Sequence, residues 1–132
     1  MKRKNLPILK IGTDICQIER VKSVYKKYGK RFLQRILTKN ETKYVTSSKK
    51  QLMSRLAGRF AAKEAVSKVL GTGLKGVYFK EIEILHEKTG APRIILHKRA
   101  INKAKEKKLT YFEVSISHER DFAIAIVVGV GL

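Results

Sequence analysis

Apolar residues alternate along some stretches of this chain and recur every three or four residues along others. The two rhythms divide it into strands and helices. From Ile8 to Ile18, the residues Leu9, Ile11, Thr13 and Ile15 fall on one face, and Lys10, Gly12, Asp14 and Cys16 on the other. That alternation predicts a strand. Gly12 has no side chain, so the space beside Asp14 is expected to be open. From Arg20 to Leu37, Val21, Val24, Tyr25, Tyr28, Phe32 and Ile36 share one face of a predicted helix, while Arg20, Lys27, Arg31 and Arg35 form a basic stripe on another. Gly29 predicts a break or bend in its middle. Thr38-Lys39-Asn40-Glu41 has capping-box spacing and starts a short helix through about Val45. Ser48 and Gln51 repeat that spacing. Leu52 to Leu70 then reads as one long helix, without proline, stopped at Gly71.

Beyond Gly73, Val77-Tyr78-Phe79 and Ile82 to His86 read as strands. Lys88 to Pro92 is a turn that brings Arg93 to His97 back as a hairpin. Ala100, Ile101 and Ala104 mark a short basic helix. Tyr111 to His118 and Asp121 to Val128 form a last hairpin with His118-Glu119-Arg120 at its tip. No repeat or linker interrupts the pattern, so residues 1–132 are expected to form one α+β domain.

Charge narrows the partners. Thirty Lys and Arg against eleven Asp and Glu leave a net charge of +19 on 132 residues, which points to anionic partners. Much of the excess lies at Lys2 to Lys4 and Lys98 to Lys108. The single cysteine, Cys16, excludes an internal disulfide and a cysteine-based zinc cluster; its apolar setting predicts a small core residue. No apolar run reaches membrane-spanning length, and the basic start is not followed by a secretory leader, so a cytoplasmic protein is expected. A small, very basic chain of this kind also fits an RNA- or ribosome-binding protein. Against that, no RNA-binding signature is present, and the ten Tyr and Phe fall mainly at core positions, not interleaved with basic residues.

The long helix carries the sharpest chemical signal. Met53, Leu56, Ala57 and Phe60 form an apolar stripe, and Glu64 falls in the middle of it, with Lys68 one turn later. An inward carboxylate is costly without a cation or metal beside it. A plain i,i+4 ion pair is the simpler account. Asp14 on the first strand and Ser115-Ile116-Ser117-His118 at the end of another supply possible company. Two carboxylates from separate elements can hold one Mg²⁺ if water and phosphate oxygens complete the octahedron. Phosphoryl transfer needs little beyond such a metal, cations around the phosphate and an aligned nucleophile.

Ile11-Gly12-Thr13-Asp14-Ile15 with Ile18-Glu19-Arg20 resembles the first motif of holo-acyl-carrier-protein synthases, the small 4′-phosphopantetheinyl transferases. Arg59 to Gly73 resembles their central motif, with Phe60, Lys63, Glu64, Ala65, Lys68 and Gly71-Thr72-Gly73 in register. Phe32 to Glu41 and Val114 to His118 are similar to the family's linking segment and closing strand. The resemblance implies an antiparallel sheet packed on the long helix, and a homotrimer with sites at subunit interfaces. It implies transfer of 4′-phosphopantetheine from coenzyme A to a serine of an acidic apo acyl carrier protein, in fatty acid biosynthesis, leaving adenosine 3′,5′-bisphosphate. Asp14 and Glu64 would then ligate Mg²⁺, and Lys68 would sit on the diphosphate. Arg59, Gly71, Thr72, Gly73, Ser117 and His118 would lie along coenzyme A, with Pro92 reaching it from the neighbouring subunit. Arg20, Lys27 and Arg31 are the expected docking residues for the carrier protein. The base for the serine proton is either Glu64 or a metal-bound water. No functional role for nucleic acid is implied.

Overall fold

The computed structural model describes residues 6–73 and 76–132. The basic segment Lys2 to Lys4 lies outside the described residues. The first strand, β1 (Ile8–Gln17), is followed by α1 (Ile18–Tyr28), α2 (Lys30–Ile36), α3 (Lys39–Thr46) and the long α4 (Leu52–Leu70). A 3-10 turn (Phe79–Glu81), the hairpin β2 (Ile82–His86) and β3 (Pro92–Leu96), helix α5 (Lys98–Glu106), and strands β4 (Tyr111–His118) and β5 (Phe122–Gly131) complete the chain. Two antiparallel sheets result: three strands in the order β1-β5-β4, and the separate β2-β3 hairpin. Both lie against α4, which is the core of the α+β architecture.

Local chemistry explains the helix boundaries. Gly29 takes φ 58°, ψ −132° and divides the predicted long amphipathic helix into α1 and α2. Thr38 forms the full capping box: Glu41 N donates to its hydroxyl at 3.2 Å, and Thr38 N donates to Glu41 Oε1 at 3.0 Å. The Ser48 repeat is only half made. Gln51 N donates to Ser48 Oγ at 3.2 Å, but Gln51 itself caps α4 without a side-chain bond. Gly71, at φ 76°, ends α4 in the left-handed region, and Thr72 N reaches back to Ser67 O at 3.2 Å.

Three expectations are corrected. First, α4 has no apolar stripe. Leu56, Ala57, Arg59, Ala61, Ala62, Lys63, Ala65, Val66, Ser67, Val69 and Leu70 are all buried, so the helix is covered on most of its circumference. Met53, Phe60 and Glu64 are only half-buried and lie on its more open side. Second, Val77 to Phe79 is not a strand. Glu81 draws that segment into the 3-10 turn by accepting from Tyr78 N, and its other oxygen caps α5 through Arg99 N at 2.6 Å and Ala100 N at 3.3 Å. Third, the space beside Gly12 is filled. A Cβ there would lie 2.2 Å from Ala65 O, so the glycine is what lets β1 and α4 touch backbone to backbone.

That contact inverts the sheet. The Gly12, Asp14 and Cys16 face of β1 lies on α4, and the apolar face turns outward. Leu9, Ile11, Ile15, Phe122, Ile124 and Ile126 are 41–65% exposed. Cys16 is a buried core residue as expected, and burial pushes its thiol up to about 11.

Candidate active site

Asp14 and Glu64 meet in one cleft. Asp14 comes from the α4-facing side of β1, and Glu64 lies one residue before Ala65, where α4 crosses that strand. The cleft has a volume of about 430 Å³ and is walled by Val21, Val24, Phe32 and Phe60, with Arg20 at its edge. Burial raises the Glu64 carboxyl above its ordinary range, repulsion from Asp14 adds to this, and Lys68 partly offsets it. The Lys68 ammonium donates to Thr13 O at 2.8 Å and lies 3.5 Å from Asp14 Oδ1. Lys68 therefore bridges to the strand, and the simpler Glu64–Lys68 ion pair along the helix is not formed.

The pair of carboxylates suits a hard divalent cation. Both offer oxygen donors, their mutual repulsion would be relieved by a positive ion, and the cleft leaves room for oxygens of other origin. Among the described residues no third His, Cys, Asp or Glu joins them. That fits Mg²⁺, which keeps several waters or substrate oxygens, better than a metal that demands a full protein cage.

The other predicted residues are distributed around this centre. Arg59, five positions before Glu64 and therefore on another side of α4, is 3% exposed. Its Nη2 donates to His86 Nδ1 at 2.6 Å, and its guanidinium lies 4.2 Å from the centre of the Tyr44 ring. Arg55 lies 4.2 Å from the same ring, and His86 stacks on it at 4.2 Å. Burial and the two arginines hold the His86 imidazole down to about 4, so it accepts from Arg59 as the neutral ring. Arg59 Nε is buried without a partner among the described residues, which leaves a cationic donor unspent. The hydrophobic pattern does not predict this cluster. Its one legible signal is Arg55 and Arg59 a turn apart, a like-charge pair that needs company. It also corrects the expectation about aromatics: Tyr44 sits between guanidiniums, Arg99 lies over Tyr78, Lys27 over Tyr28, and Tyr28, Tyr78, Tyr111 and Phe122 are exposed.

Gly71, Thr72 and Gly73 follow α4 one turn beyond Lys68. Pro92 opens β3, opposite His86. Ser117 and His118 end β4, and strand alternation sends them to opposite faces. His118 shares the row of Ala123 and Cys16, on the α4 side. Ser117 shares the row of Ile124 and Ile15, on the exposed apolar face. Pro92, Ser117 and His118 do not line the Asp14–Glu64 cleft of their own chain. Of the basic residues on α1 and α2, Arg20 borders that cleft. Arg31 borders an adjoining one of about 590 Å³ that shares Val24, Phe32 and Phe60 with it, and Lys27 is exposed.

A family model described as the 4′-phosphopantetheinyl transferase superfamily matches residues 10–127. A holo-[acyl-carrier-protein] synthase of Gloeobacter violaceus is 43% identical over 122 residues, 92% of each chain. The crystal structure of holo-[acyl-carrier-protein] synthase from Neisseria meningitidis superposes with a TM-score of 0.83 at 36% identity, covering 91% of this chain and 96% of that one. The Bacillus anthracis synthase, solved in complex with CoA (3′,5′-ADP), superposes with a TM-score of 0.80 at 36% identity, covering 96% and 100%.

Proposed function

The chain belongs to the 4′-phosphopantetheinyl transferase superfamily, and from that premise we propose that it is an enzyme that moves 4′-phosphopantetheine from coenzyme A to a serine hydroxyl of an apo acyl carrier protein. The convergence of Asp14 and Glu64 in one cleft, with the Lys68 ammonium beside Asp14, is the observation that carries this reading. The serine oxygen attacks the phosphorus that bears pantetheine. The bond from that phosphorus to the oxygen bridging the two phosphates breaks, and adenosine 3′,5′-bisphosphate leaves with the bridging oxygen.

Asp14 and Glu64 would hold Mg²⁺, which supplies Lewis-acid polarisation of the phosphorus when bound. Lys68, beside Asp14, would stabilise the charge that builds on the diphosphate oxygens. Glu64, at the edge of the cleft, is our candidate acceptor for the serine proton. Arg59, whose guanidinium lies beside His86 and Tyr44, is our candidate partner for a phosphate of coenzyme A, and Gly71 to Gly73 would give the nucleotide a close backbone approach. Arg20 and Arg31, exposed beside the cleft, are placed to steer an acidic carrier protein to it, and Lys27 adds to the same basic field.

The exposed apolar sheet face supports assembly into a trimer. Six large apolar side chains lie exposed on one sheet face, a contiguous surface of the kind that marks a protein interface. Ser117 stands on that face and Pro92 lies off the cleft, which suits a site completed by a neighbouring copy. Ile124→Asp is expected to convert the assembly to monomers in light scattering and to remove transfer; an unchanged mass would refute the arrangement. No helix among the described residues is long and apolar enough to cross a membrane, in keeping with a cytoplasmic reaction. The direct test of the site is Asp14→Ala. It is expected to remove transfer while leaving the melting temperature near that of the parent; full activity at saturating Mg²⁺ would refute the assignment.

A further inference from the structure

Lys63 is the largest fully buried side chain in the described structure. Its three ammonium protons meet three acceptors: Glu41 Oε1 at 2.7 Å, Phe79 O at 2.9 Å and Ile82 O at 2.6 Å. Glu41 is as completely buried, and it also accepts Thr38 N at 3.0 Å and Ile84 N at 3.0 Å. One ion pair therefore joins the start of α3, the middle of α4, the 3-10 turn and β2.

Stability alone is a poor reason for such a pair. Replacing a buried ion pair by apolar side chains of similar volume is often neutral or stabilising. Direction is the better reason. The face of α4 turned away from Lys63 carries Gly58, Ala61 and Ala65; Gly58 and Ala65 seat on strands β4 and β1, and these small groups offer few ridges to fix the helix about its axis. Five directed hydrogen bonds on the pair supply what the packing lacks. Glu64 is the next residue after Lys63, so its direction about the helix is set by the rotation that Lys63 anchors. No hydrogen bond from a described residue holds the Glu64 carboxylate itself, so its aim depends on the helix that carries it.

We propose that Lys63 and Glu41 are positioning residues for the transfer site: their buried pair fixes the rotation of α4 that turns Glu64 toward Asp14. The proposal rests on the transfer reading above, with Asp14 and Glu64 as the cation ligands. Neither residue of the pair touches the substrates.

The test replaces the pair without leaving a lone buried charge, by Glu41→Leu with Lys63→Met. The double variant is expected to melt below the parent, because the apolar groups fill the same space but leave Thr38 N, Ile84 N, Phe79 O and Ile82 O without their side-chain partners, and the measurements are made below its melting temperature. Calorimetric titration with Mg²⁺ in the presence of coenzyme A is expected to show affinity weakened about tenfold or more, the range seen when groups that orient metal ligands are removed. At saturating Mg²⁺, kcat is expected to fall while the KM for carrier protein stays the same, since α1 is not moved. A folded double variant with Mg²⁺ affinity and kcat within about twofold of the parent would overturn the proposal. If the double variant does not fold, Glu41→Gln, titrated below its melting temperature, is measured in the same two ways and overturns the proposal at the same twofold limit. Absence of Mg²⁺ binding in the parent with coenzyme A would instead sink the transfer reading, and the proposal with it.

Discussion

Gly12→Ala changes one hydrogen for a methyl group, yet it acts on the joint that brings the two carboxylates together. The new Cβ would begin 2.2 Å from Ala65 O, 2.9 Å from Val69 Cγ2 and 3.1 Å from Ala65 C, whereas real Cβ atoms essentially never come within 3.0 Å of such neighbours. Two of the three obstacles are backbone, so no side-chain rotation relieves them. Strand β1 and helix α4 must separate until the first distance reaches at least 3.0 Å. Overpacking of this kind costs about 1–3 kcal/mol. For a domain of this size that lowers the melting temperature by roughly 5–10 °C. Asp14 lies two residues beyond Gly12 on the same face, and Glu64 lies one before Ala65, so the separation falls directly on the carboxylate pair. Misplacement near 1 Å costs about 100-fold in rate. The assay is a thermal melt followed by initial rates of carrier-protein modification at a temperature where the variant is folded. A melting temperature within about 2 °C of the parent together with an unchanged kcat would refute the reasoning.

Further predictions follow from charge. Glu64→Gln is expected to abolish transfer and, without added Mg²⁺, to raise the melting temperature at neutral pH. The folded state lifts the Glu64 carboxyl, so the ionised form costs stability above that raised value, and the advantage of the variant should vanish as pH falls through the carboxylate range. A lower melting temperature at neutral pH would contradict this. His86 is held down to about 4 from an ordinary 6.5, so the unfolded chain takes up a proton before the folded one does. Stability should therefore fall as pH drops from 6.5 toward 4, and the His86 ring should titrate near 4 by NMR; a midpoint near 6.5 would contradict the Arg59 contact. Arg20→Glu is expected to raise the KM for carrier protein several-fold and leave the affinity for coenzyme A unchanged, and an unchanged KM would move the docking surface elsewhere.

The long helix was legible because local signals agree along its whole length. Its helix formers, its lack of proline and the glycine at its end all predict Leu52–Leu70, and that is the observed span. The division at Gly29 and the capping box at Thr38 were legible for the same reason. The orientation of α4 was not. Periodicity assumes one covered side, and a helix surrounded by two sheets and other helices has no single apolar face to detect. Glu64 therefore reads as an inward carboxylate on a stripe, yet it occupies the more open side, and its environment comes from Asp14 across the cleft. The outward turn of the Leu9, Ile11 and Ile15 face was hidden too. Alternation marks two faces of a strand, and the glycine that seats the polar one on α4 looks like open space. Val77 to Phe79 carries strong strand formers, overruled by Glu81 capping a helix that begins seventeen residues downstream of it. Lys63 and Glu41 give no local sign of their pairing, since a lysine in a helix rich in Lys and Ala reads as solvated.

Transfer itself is the central claim, and intact-protein mass spectrometry tests it most directly. An apo acyl carrier protein is incubated with this chain, coenzyme A and Mg²⁺, with an EDTA control alongside. The carrier protein is predicted to gain the mass of one phosphopantetheine group in the first reaction and nothing in the control. No gain across several carrier proteins, in a preparation shown to bind coenzyme A, would contradict the account.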